Sequence, residues 1–267
     1  MRGTRVVSAL LFVLGCVPAT SPREPRGAAG VVTRPTAATR GAAFVTSDGW
    51  SVRIEALYLR AVVSASSTLT EEFGSSEEYV WNAAEEHTLY ARAVREGAAE
   101  VQVHLQPGFT GRRAEDEATN LGVSAEVGAR FSAPDEAPAI GDGSGTPAVV
   151  VRAVGEKDGR RVRIDVGYST TSIESPVFRV EVVRDDVRAT PMDVRGEELF
   201  AFSDDGVSRF EPLADADTSG DGLADASELR AARAPCPAEL DAEDVTCRRS
   251  LLDLLRLRSS SVLGPVR

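Results

Sequence analysis

Lysine is almost missing from this chain: among 30 basic residues, Lys157 is the only one that is not arginine. No function follows from that bias. Positive charge is in deficit overall, with 41 Asp plus Glu giving a formal net charge of −11, which excludes sequence-independent binding to nucleic-acid phosphates. Long apolar runs are absent too, since no segment reaches the roughly 18 residues a transmembrane helix needs. The only histidines are His87 and His104, and no Ser-His-Asp or Cys-His arrangement with a recognisable local motif is present. The glycine-rich "GDGSG" (141–145) lacks the lysine of a phosphate loop and reads as a flexible loop. "SDDG" (203–206) reads as a plain turn.

What is present is ordinary for a globular chain. The 267 residues suffice for one substantial core or two small ones, and 42% are apolar and 27% charged.

The N-terminus reads as an export signal. Arg2 and Arg5 precede a short apolar stretch, "VVSALLFVLG" (6–15), too short to span a bilayer. "VLGC" (13–16) resembles the lipobox of bacterial lipoproteins, with Leu14 a departure from the residue usual there. The resemblance implies removal of residues 1–15 and lipidation of Cys16, a membrane partner through the acyl anchor, and sorting to the outer membrane or cell surface, since Val17 is not acidic. The competing reading is an ordinary secretory signal cleaved nearer "PATS".

Export places Cys236 and Cys247 in an oxidising compartment, where a structural disulfide is expected. Two free thiols are the alternative. A metal pair fits poorly, because this spacing without a neighbouring histidine matches no zinc pattern.

Residues 16–42, rich in Pro, Ala, Thr and Arg, are expected to form a disordered tether. An antiparallel β-rich domain is expected over 43–211, as a sandwich or barrel. Asp48-Gly49 and Asp158-Gly159 mark hairpin turns, the second inside "PAVVVRAVGEKDGRRVRIDVGY". "TLYARAV" and "AEVQVHL", joined by "REGA", are a further hairpin candidate. A short helix is expected near Ser76, and strands in "LGVSAEVGARF" (121–131). Residues 212–267 read as helical, with a leucine face in "CRRSLLDLLRLR" that suits a helix covering the sheet.

One stretch reads as chemistry. "DTSGDGLADASE" (217–228) resembles the twelve-residue EF-hand loop, which needs oxygens at positions 1, 3, 5, 7, 9 and 12 and glycine at position 6. Asp217, Ser219, Asp221, the Leu223 carbonyl, Asp225 and Glu228 fill those positions, and Gly222 is the glycine. The resemblance implies calcium. Starting instead at Asp215 fails, because Leu223 and Ala226 would then fall at positions 9 and 12. Ala224 at position 8 departs from the branched residue that pairs two such loops, and no second loop is evident. The competing reading is an acidic turn whose Asp225 merely caps the next helix.

Three functions stand. The first is a non-catalytic envelope lipoprotein with a structural calcium site, its protein or glycan partner unspecified by the sequence. The second is a ligand- or metal-binding accessory lipoprotein using His87 and His104. The third is a hydrolase of unrecognised class.

Overall fold

A computed structural model describes residues 26–67, 76–107, 119–133, 146–170, 173–202, 207–235 and 248–266. The export segment, Cys16, the loops 141–145 and 203–206, Cys236 and Cys247 lie outside the described residues.

The protein is mainly β, with mixed sheets and few helices. The first half contains β1 (Arg26–Pro35), β2 (Phe44–Val45), β3 (Ser51–Ser67), β4 (Glu77–Asn82), β5 (Thr88–Arg95), β6 (Gly97–Leu105) and β7 (Thr119–Leu121). The second half contains β8 (Val149–Lys157), β9 (Arg160–Tyr168), β10 (Ile173–Glu174), β11 (Phe178–Val182) and β12 (Val187–Val194). The last strands are short: β13 (Leu223–Ala224), β14 (Arg233–Pro235), β15 (Arg248–Ser250) and β16 (Leu263–Pro265). The helices are α1 (Ala125–Ser132), α2 (Glu211–Asp215), α3 (Ala226–Ala231) and α4 (Leu251–Arg258).

One sheet has the order β16-β12-β1-β5. The larger sheet follows β10-β6-β3-β8-β9-β13, with β11 also on β6, β2 and β4 on β3, and β7 on β4. Seventeen-residue β3 is its spine. The expectation of purely antiparallel pairing is corrected, because β1–β12, β4–β7 and β9–β13 are parallel. Parallel neighbours need long crossovers, and these partners are indeed far apart in sequence.

Most corrections trace to tertiary context. The expected tether gives way at Arg26 to β1, an interior strand whose Ala29 and Val31 are fully buried. Its small residues serve close approach: a Cβ on Gly30 would fall 2.0 Å from the Leu89 carbonyl oxygen of β5. The expected hairpin in "REGA" does not form. β5 and β6 are separated by Glu96 alone and belong to different sheets. The helix expected near Ser76 is instead β4, in which Tyr79, Val80 and Trp81 are all buried. The strands expected over 121–131 are largely α1, capped by Ser124, whose Oγ accepts from the Val127 N–H at 3.3 Å. Val127 and Phe131, four apart, pack onto Val80 and Val150 on the outer face of the large sheet.

Residues of both sheets join one buried cluster, including Val31 and Leu89 with Leu57, Val103 and Ile164. Leu213, Leu229, Leu251 and Leu254 belong to the same cluster, so the C-terminal region shares the core of the strands. Among the described residues no helix is long and apolar enough to cross a membrane.

Candidate metal site

The loop 217–228 hangs between two short helices, and both are fastened to the large sheet. α2 has Pro212 in its first turn, where a missing N–H costs nothing. Its leading N–H groups are satisfied from far away: those of Phe210 and Glu211 donate to Asp48 Oδ2 at 2.9 and 2.8 Å. Burial pushes the Asp48 carboxyl up, but the Thr46 hydroxyl and these two N–H groups outweigh it and hold the carboxyl below its usual value. Glu211 accepts from Lys157 Nζ at 2.6 Å and from Trp50 Nε1 at 2.9 Å, and both bonds lower its carboxyl pKa. The Phe210 ring lies against Gly155 of β8, where an added Cβ would come within 2.3 Å of it. The helix is therefore seated on the sheet by one aromatic ring and two carboxylates.

The loop then turns through Gly220 and Gly222, at φ +73° and +82°. A side chain rarely adopts either value, so glycine at position 6 is a backbone requirement here. Asp217 organises the turn. Its Oδ1 accepts from the Gly220 N–H at 2.8 Å and from Ser219 Oγ at 3.2 Å, and its Oδ2 accepts from the Gly222 N–H at 3.1 Å. Asp221 Oδ1 accepts from the Leu223 N–H at 2.8 Å. Leu223 and Ala224 next form β13, parallel to Arg163 and Ile164 of β9. The Arg163 N–H also donates to the Gly222 carbonyl at 2.8 Å. Position 8 thus pairs with the main sheet rather than with a second loop.

The exit is a capping box. Asp225 Oδ1 accepts from the Glu228 N–H at 2.9 Å, and Glu228 Oε2 accepts from the Asp225 N–H at 3.3 Å. Glu228 Oε1 reaches back across the loop, accepting from the N–H groups of Ser219 and Thr218 at 2.9 and 3.0 Å and from Thr218 Oγ1 at 3.1 Å. The Ser219 N–H, with further donors on Asp225 and Thr218, holds the Glu228 carboxyl below its usual range.

The structure therefore brings together Asp217, Ser219 and Glu228, positions 1, 3 and 12, through bonds centred on Ser219. Asp221 and Asp225 each commit one oxygen to local backbone. Among the described residues no group of three or more His, Cys, Asp or Glu side chains is gathered as a metal site. The fit to calcium rests on the donor set and the turn, not on converged carboxylates. A carboxylate offers about four lone-pair sites, so the bonds seen leave acceptor capacity on Asp217, Asp221 and Asp225, whereas Glu228 already accepts four and would exchange some of them for an ion.

The two histidines have separate settings. His87 precedes β5, where its backbone N–H donates to Thr33 Oγ1 at 2.8 Å and its Nε2 lies 3.7 Å from Glu85 Oε2. His104 lies on β6, with Nε2 3.0 Å from Ser64 Oγ. No contact joins them.

Sequence reasoning missed Asp48, Trp50, Lys157 and Glu211 as supports of this loop. Asp48 was legible only as a turn residue, and the isolated lysine was the one available signal for Lys157. No family model, no curated protein and no solved structure matches the chain.

Proposed function

We propose that this is a non-catalytic cell-envelope lipoprotein: a β-sandwich whose C-terminal loop is locked by a single structural calcium ion. The observation that carries the reading is the seating of the loop. Ser219 bonds both Asp217 and Glu228, while Leu223 and Ala224 are built into the sheet beside β9. Asp217, Ser219, Asp221, the Leu223 carbonyl, Asp225 and Glu228 would hold the ion. Calcium would supply positive charge and hard-oxygen coordination to a loop that otherwise concentrates four carboxylates. Because α2 and β13 fasten the loop to the large sheet, the ion's role is to lock rather than to switch. Lipidation at Cys16, a Cys236–Cys247 disulfide and placement at the outer membrane or cell surface complete the reading, and they rest on the sequence.

The test is a calorimetric calcium titration of the full chain with magnesium as competitor, alongside melting curves in calcium and in chelator. Saturable binding with Kd of roughly 0.1 to 1 mM is expected, as for extracellular modules. At ten times Kd, calcium would add about 1.4 kcal/mol of stability. Glu228→Gln should abolish the calcium-dependent part of the melting shift. Absence of heat, with one melting curve in both buffers, would leave an acidic capped turn and sink the calcium reading.

A further inference from the structure

We propose that the protein forms a symmetric dimer by pairing β11 with β11 of a second copy, antiparallel, about a two-fold axis through Val180.

The large sheet ends at β11 on this side. Among the described residues β11 pairs with β6 alone, leaving its other edge without a strand. An unpaired edge is a template for another strand unless something blunts it. Two of the chain's exposed large apolar residues flank this one, Val177 at 49% and Val183 at 37% exposure. A groove of about 460 Å3 adjoins the edge, walled by Val180, Glu181 and Val183 on one side and by Ala189 and Thr190 of β12 on the other.

The choice of occupant comes from the edge itself. Residues 177–183 read V-F-R-V-E-V-V. Antiparallel pairing of two copies about Val180 sets residue 179 opposite 181, 178 opposite 182 and 177 opposite 183. Arg179 then meets Glu181 twice, Phe178 meets Val182 twice, and Val177 meets Val183 twice. The strand's own alternation sorts these pairs by face: Phe178 and Val182 are buried, whereas Arg179 and Glu181 are exposed. The Phe178–Val182 pairs would thus extend the core side, and the Arg179–Glu181 and Val177–Val183 pairs the solvent side. Directly opposed β-branched pairs and opposite charges are the stabilising combinations in an antiparallel ladder, and a two-fold interface requires this self-complementarity.

Other edges lack it. β5 carries Arg92 and Arg95 with no acid in the strand, and Ala93 at φ +55° interrupts its regularity. The open half of β12 runs into Pro191, which has no N–H to give. β13 offers only two residues.

Sedimentation velocity of the full chain across a concentration series tests this, with circular dichroism as the check on folding. A reversible monomer–dimer equilibrium is expected. Glu181→Arg places like charges opposite each other twice and should weaken dimerisation at least about tenfold. Arg179→Glu should do the same, with an added loss of its intrachain contact to Glu100, 3.5 Å away. The double swap, Arg179→Glu with Glu181→Arg, restores the opposition and should recover most of the affinity. A chain that stays monomeric to roughly 0.1 mM overturns the proposal. So does a dimer indifferent to both single reversals, or a double swap no stronger than the singles in folded protein.

Discussion

The β8–β9 hairpin and the 217–228 loop are neighbours built around the same device, a tight turn through left-handed backbone. They are held in opposite ways. The hairpin turns at Asp158 and Gly159, at φ +50° and +80°, and closes on a continuous ladder from Lys157–Arg160 to Val149–Tyr168. Backbone groups do the holding. The loop has only two residues in a ladder, and the rest of its closure is carboxylate accepting N–H: Asp217, Asp221, Asp225 and Glu228. One turn is held by groups that never titrate, the other by groups that do. A structure fixed by charge can be adjusted by protons and cations, which a ladder cannot.

The comparison breaks most severely where the two regions touch. Gly155→Val on β8 would drive the Phe210 ring off the hairpin and unseat α2, costing about 3 kcal/mol as a core overpacking change. Urea unfolding would show it, and the loop's amides should lose hydrogen-exchange protection before those of β9.

A smaller cut removes only the long-range cap. Asp48→Ala leaves the Phe210 and Glu211 N–H groups without their acceptor and should cost about 1 to 2 kcal/mol at neutral pH. The deficit should fade in acid. The Asp48 pKa is lowered by folding, so its contribution is present above the unfolded value near 3.9 and disappears as pH falls through the lower folded value.

The smallest effect sharpens the contrast best. Glu228→Gln without added calcium should cost less than about 1 kcal/mol, because the site is open to solvent. Its cost also depends on pH: Glu228's carboxyl pKa is depressed, so the wild-type advantage holds above about 4.3 and vanishes as pH drops through the folded value. The same pH series on Gly159→Ala should show a loss of about 1 kcal/mol that keeps its size across the range, since only backbone strain has changed.

The hairpin and the loop were both legible in the sequence, for a shared reason. Each is encoded within a dozen or so consecutive residues, by Asp-Gly between alternating β-branched residues in one and by oxygens at fixed spacing in the other. β1 was not legible. Its run of glycine, alanine and valine carries no period because the strand is interior and fits by being thin, a demand set by β5 and β12. α1 was misread because Val123 and Val127 are compatible with a strand face until Ser124 is recognised as a cap. In the candidate site, the spacing of Asp217 to Glu228 named the loop residues, whereas Asp48 and Trp50 come from the turn between β2 and β3 and Lys157 from the end of β8, all far away in sequence. No local pattern announces that an aspartate in one turn will cap a helix beginning at residue 211.

The pairing of β1 has a consequence in time. Its antiparallel neighbour β5 is synthesised soon after it, but its parallel neighbour β12 begins at Val187, opposite Ala28, and β12 is in turn completed by Leu263–Pro265. At 5 to 20 residues per second, translation takes on the order of 10 to 30 s to separate those partners. This sheet therefore cannot close until residues 263–265 reach β12, long after β1 and β5 have emerged.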